Sequence, residues 1–132
     1  MFRATRPAYY AAQVLKESTG ITGLAVHPKP LRALKAIYGE TLTALSALPA
    51  TSVYRQATES LTNHRLSVVE KAGEDISAVE KELALIVEVA LEEATAEHKL
   101  VGSMTEWKAW DSLEEKPLPN QWRYFDPTGD SL

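Results

Sequence analysis

The stretch ISAVEKELALIVEVALEEATAEHKLVGSM, from Ile76 to Met104, holds the longest periodic pattern in the chain. Ile76, Val79, Leu83, Ile86, Val87, Ala90, Ala94, Val101 and Met104 fall on one face at helical spacing, which predicts an amphipathic helix. Ser77 followed by Glu80 has the spacing of a capping box, placing the start of the helix nearby. Leu85, Val89, Ala96, Leu100 and Trp107 form a second apolar ridge roughly opposite the first. A helix that is apolar on two sides has two partners to satisfy. The first stripe is expected to close the protein's own core and the second to meet another protein.

Two shorter helices precede it. Pro30 suits a first helical turn, where its missing N–H has no intrahelical role, and the stripe Leu31, Leu34, Ile37, Tyr38, Leu42, Leu45, Leu48 runs on to a stop at Pro49. Thr51 or Ser52 can cap the next helix, whose stripe reads Val53, Tyr54, Ala57, Leu61, His64, Val68 and Ala72, with Gly73 as its exit. Short connections imply antiparallel neighbours. The expected fold is therefore all-α, a three-helix up-down-up bundle over residues 30–110 with extended N- and C-terminal arms. Residues 1–29 read as a basic arm and turn. Residues 111–132 read as a strap, in which Pro117 and Pro119 hold the chain extended and Trp122, Tyr124 and Phe125 supply contact area.

A chain of 132 residues accommodates one domain. Its 45% hydrophobic and 24% charged residues are an ordinary balance, and no apolar run reaches the length of a membrane span. With no cysteine it can form no disulfide, ligate no iron–sulfur cluster through thiolates and offer no thiol nucleophile. The net charge of -4 conceals a gradient, because residues 73–115 hold twelve acids against three bases while residues 1–16 hold three bases and no acid. The acidic segment would be repelled by phosphate backbones, so a nucleic-acid partner is not expected, and a basic protein surface is. The Arg3, Arg6 and Lys16 segment has the composition of a mitochondrial leader, or of a plain basic arm.

No set of residues stands out as catalytic. His27, His64 and His98 are never paired at the spacing that puts two ligands on one helix face, and His64 reads as a partly buried, hydrogen-bonded member of its stripe. Glu92, Glu93, Glu97 and Glu106 read as a solvated acidic face. Glu97 is the exception, since it continues the line of Val79 and Ile86; it is expected either to meet a base, with Arg55 and Arg65 the candidates, or to lie where the stripe is exposed. Gly20-Ile21-Thr22-Gly23 lacks the lysine of a phosphate loop and reads as a turn.

Three strings, in order, carry a family resemblance: Ser18 to Val26; Tyr54-Arg55 with Thr58-Glu59, Thr62-Asn63 and Arg65-Leu66; and Glu106-Trp107-Lys108-Ala109-Trp110 followed by Leu113, Pro117 and Gln121-Trp122. The chain resembles the alpha-subcomplex subunit 5 accessory family of mitochondrial NADH:ubiquinone oxidoreductase, complex I. That resemblance implies a non-catalytic subunit, without cofactor or metal, supporting assembly and stability of the matrix arm near the quinone-reducing module. It implies a peripheral place on the matrix side of the inner membrane, with core and accessory subunits as partners and no homo-oligomer. Tyr54, Arg55, Trp107, Trp110 and Trp122 are carried over as interface or arm-fixing residues, joining Leu85, Val89 and Leu100 from the second ridge. Family members often carry a glycine-bearing break before the main part of the third helix, whereas this chain reads Glu82-Leu83-Ala84-Leu85-Ile86-Val87. A stand-alone helical adaptor is the alternative reading, and a small hydrolase a distant third.

Overall fold

The computed structural model describes residues 16–119. Within them the chain forms α1 (Pro30–Leu45), α2 (Val53–Ala72), α3 (Ile76–Leu83) and α4 (Val87–Trp107). The all-helical expectation holds for these residues, but the expected third helix is two. Pro30 opens α1 as its sequence position requires. The helix ends at Leu45, ahead of Pro49, by tightening into i→i+3 bonds from the Ser46, Ala47 and Leu48 amides. Ser52 caps α2, its hydroxyl accepting from the Arg55 amide at 3.4 Å, and Gly73 leaves it with φ 65°.

The cap of α3 is Asp75, whose carboxylate accepts from the Ala78 amide at 3.2 Å, so the Ser77–Glu80 capping box does not form. Glu80 turns instead to the next helix and accepts from the Val87 amide at 3.2 Å. That contact satisfies an N-terminal donor of α4 that its own N-cap, Ile86, has no side-chain oxygen to reach. The break lies at Ala84, in the left-handed region with φ 53° and ψ 30°. No glycine or proline causes it. Packing does, because α3 lies mainly along α2 while α4 lies along α1, and one straight helix cannot follow both. The β-branched pair Ile86-Val87 also makes this the weakest point for a continuous helix. An L-residue held at positive φ is strained, so Ala84→Gly should stabilise the fold by about 1 kcal/mol, read as a rise in the urea midpoint with unchanged m-value.

The core has two parts. Leu31, Leu34 and Tyr38 of α1 pack with Val69, Val79, Val87, Ala90 and Ala94, and Leu45 and Leu48 pack with Val101 against half-buried Tyr54, Met104 and Trp110. Early residues of α1 therefore meet early residues of α4, and late ones meet late ones, so these two helices run side by side in the same direction. Between α2 and α4 the direction is opposite, since Tyr54 faces Glu97 while Arg65 faces Glu93.

The face assigned to α2 requires correction in part: Tyr54, Val68 and Ala72 of the expected stripe do pack inward, but its other four members do not. Val53 and Leu61 are 78% and 51% exposed, and Ala57 and His64 face solvent, while Thr58, Thr62, Val68 and Val69 are buried. The helix is turned so that threonines face α1 and α4. Their small volume lets the helix sit close, and their hydroxyls can be satisfied locally, as Thr41 of α1 is by donating to the Ile37 carbonyl at 2.7 Å.

Candidate docking surface

Backbone contact is extensive between α1 and α2 and between α1 and α4, but slight between α2 and α4. The last two flank α1 and meet through long side chains. Arg65 Nη1 donates to Glu93 at 2.9 Å at one end, and Tyr54 Oη donates to Glu97 Oε1 at 2.5 Å at the other. Between these ties lies a cleft of about 360 Å³, floored by Tyr38 and Thr41 and walled by Thr58, Thr62, Ala94 and Glu97. Leu61 and Leu100 stand at its sides, 51% and 36% exposed. The cleft results from the small residues that replace bulky apolar ones where α2 and α4 face each other.

Of the two outcomes expected for Glu97, a basic partner is not found among the described residues: it is half-buried and meets hydroxyls. The Tyr54 hydroxyl and, at 3.4 Å, that of Thr58 both address Oε1. Arg65 is committed to Glu93. Arg55 donates to the Leu48 carbonyl, reaches the Ser46 carbonyl at 3.5 Å and pairs with Glu59 one turn away, so it fastens the exit of α1 to the start of α2. Burial raises the Tyr54 pKa, and the hydrogen bond and charge of Glu97 raise it further, well above the ordinary phenol value. Burial likewise raises that of Tyr38, with Glu93 adding to the rise and Arg65 opposing it.

In both cases the folded state holds a proton that an unfolded tyrosine loses near its ordinary value of 10.0. Their contribution is complete below that pH and is lost as pH climbs through the folded values. Urea unfolding at pH 9 and pH 11 should show a stability loss on the alkaline side that Tyr54→Phe reduces. An equal loss in that variant would remove Tyr54 from the account.

The outer ridge of α4 is partly as the sequence suggests. Ala96, Leu100 and Trp107 are exposed, with Trp107 at 66%, and Val89 is half-buried. Leu85 is not on this helix, because it falls in the break between α3 and α4, where it is half-buried. Trp110 packs against the Leu45–Leu48–Val101 cluster of its own chain, and Trp122 lies outside the described residues. Residues 111–119 are exposed throughout.

A second polar assembly gave no sequence signal. Lys16 bonds to Glu80 and lies 3.4 Å from Glu88, whose side chain is only 3% exposed. Burial would lower the proton affinity of Lys16, but the two carboxylates outweigh it and leave the ammonium above its usual range. The following turn, with Gly20 and Gly23 at positive φ, is pinned by Thr19 Oγ1 donating to the Leu24 carbonyl at 2.8 Å. Leu24, Ala25 and His27 then line a cleft with α4. His27 accepts from the Lys29 amide at 3.1 Å, a purely local contact. Among the described residues no group of three or more histidine, aspartate or glutamate side chains could hold a metal ion, and no helix is long and apolar enough to cross a membrane.

A family model described as "ETC complex I subunit conserved region" matches residues 23–87, from the turn before α1 to the first residue of α4. The Bos taurus protein NADH dehydrogenase (ubiquinone) 1 alpha subcomplex subunit 5 is 40% identical over 115 residues, covering 86% of this chain and 97% of the relative. The chain belongs to the alpha subcomplex subunit 5 family. Another relative, the Candida albicans alpha subcomplex subunit MCI4, is 44% identical over 110 residues, covering 81% of this chain and 78% of its own length. An Arabidopsis thaliana relative carrying the subunit 5 name with the word "mitochondrial" is 42% identical over 97 residues, 73% of this chain and 57% of that protein. For this subunit 5 family member, the matched region takes in α1, α2 and α3 and stops where the exposed ridge of α4 begins.

Proposed function

We propose that the chain is a non-catalytic accessory subunit of mitochondrial complex I. It sits peripherally on the matrix side of the inner membrane and supports assembly and stability of the matrix arm near the quinone-reducing module, with core and accessory subunits of that arm as its partners. Family membership is the observation that carries this reading. The name of the plant relative supports the compartment.

The exposed ridge of α4 supports docking, since Leu100 and Trp107 present apolar area that the chain's own core does not use. In this reading Val89 and Trp122 extend the contact, Leu85 reaches it from the α3–α4 break, Trp110 fixes the end of α4 on the chain's own core, and Tyr54 and Arg55 hold the helices that carry it. Residues 30–110 act as the folded unit and the segments on either side as arms.

Native gels of mitochondrial membranes test the proposal. The chain should comigrate with NADH:ubiquinone oxidoreductase activity, and its depletion should reduce the amount of assembled enzyme without changing the KM of the remainder for NADH. Migration as a free monomer would support the stand-alone adaptor and end this proposal.

A further inference from the structure

The cleft between α2 and α4 has one unmatched charge and one unmatched hydroxyl. Glu97 is half-buried, and both of its partners are neutral hydroxyls on Oε1, so Oε2 has no hydrogen bond among the described residues. The neighbouring Glu93 is already balanced by Arg65 at 2.9 Å. On the floor, Tyr38 is 3% exposed and its buried hydroxyl has no hydrogen-bond partner of good geometry among the described residues, the nearby Arg65 guanidinium being turned to Glu93. The hydroxyl and the carboxylate line the same cleft, and a segment that covered the solvent-reached Glu97 carboxylate would have to bring a cation with it. Leu61 and Leu100 flank the opening with exposed apolar surface.

We infer that this cleft receives an arginine side chain from a neighbouring complex I subunit, carried on a segment whose flanking residues are apolar. The inference rests on the proposed membership of that complex and names the chemistry of one contact within it. Charge complementarity decides the occupant. Glu93 and Arg65 cancel, Glu97 remains, and a single cation neutralises the cleft. Arginine suits the cleft better than lysine, because its planar fork presents several donors to a lining that includes both the Glu97 carboxylate and the Tyr38 hydroxyl. The apolar residues on either side of it then cover Leu61 and Leu100, excluding water from the ion pair.

The test uses the full chain in its assembled complex. A photoreactive benzoylphenylalanine replaces Leu61, which is exposed and outside the core, and the cross-linked peptide is sequenced after irradiation of the isolated enzyme. The expected product joins position 61 to a peptide of another subunit with an arginine within about one helical turn of the attachment point. In parallel, Glu97→Gln and Leu61→Lys should each lower the salt concentration at which the chain is released from the complex, with roughly tenfold weaker retention. Glu106→Gln, on α4 away from the cleft, should match the wild type. Leu61→Lys keeps the test valid if Glu97→Gln disturbs the Tyr54 contact, because it places a competing cation at the opening without altering a buried group. Cross-linking to the chain's own residues, to a peptide lacking arginine, or wild-type retention of Leu61→Lys would overturn the inference while leaving the chain a subunit. Absence of the wild-type chain from the complex would overturn both.

Discussion

Replacing Leu34 with alanine should lower the free energy of unfolding by about 3 kcal/mol, whereas the same change at Leu61 should alter it by no more than about 0.5 kcal/mol. Leu34 is fully buried among residues of all four helices, so truncation removes contacts that no rearrangement of one helix restores. Leu61 is half exposed at the edge of the cleft and loses little. Paired urea titrations decide the matter, and comparable losses at the two positions would restore the α2 face on which Val53 and Leu61 point inward.

The second large effect is expected at Lys16. Its removal leaves Glu88 as a buried carboxylate without its cation, and takes from Glu80 the charge that holds it between the arm and the Val87 amide. Stripping one member from a fully buried pair costs about 3–5 kcal/mol, and because Lys16 is one-third exposed we expect about 2 kcal/mol for Lys16→Ala. In a domain of this size that is a fall in Tm of roughly 8 °C. Adding Glu88→Gln to Lys16→Ala should recover part of the loss, since the amide carries no charge to strand. A double variant no more stable than Lys16→Ala alone would mean that the ion pair contributes nothing beyond its packing.

These two sites also show what the sequence could and could not disclose. The α1 stripe was legible because its buried residues are bulky and apolar from Leu31 to Leu48, and the inner face of α4 was legible for the same reason at Val87, Ala90, Ala94 and Val101. The α2 face was legible only at Tyr54, Val68 and Ala72, because burial also falls on Thr58 and Thr62 while Val53 and Leu61 remain outside, so a pattern weighted by hydrophobicity is turned away from the buried line. The break at Ala84 was hidden for a related reason. No glycine or proline falls between Glu82 and Val87, the lower helix propensity of Ile86 and Val87 is too weak a signal alone, and the interruption follows mainly from which neighbours α3 and α4 each contact.

The polar assemblies were beyond sequence reading on other grounds. Lys16 meets acids 64 and 72 positions away, and Tyr54 meets Glu97 across 43. Spacing within one helix cannot reveal such pairs. The exposed ridge was readable in part, since Leu100 and Trp107 lie outside as their periodicity required, while Trp110 turned back to its own core.

The side-by-side course of α1 and α4 has a consequence for how the molecule is made. Among the described residues its most extensive interface joins the first helix to be synthesised to the last, with Leu45 and Val87 marking the end of one and the start of the other. Adjacent antiparallel helices can pair as soon as a short loop closes, but this interface must wait for a long excursion of chain, at an entropic cost that rises with its length. Refolding is therefore expected to be slower than that of a bundle built only from sequential hairpins, and a nascent chain released before Val101 emerges would leave the Leu45–Leu48 end of α1 uncovered.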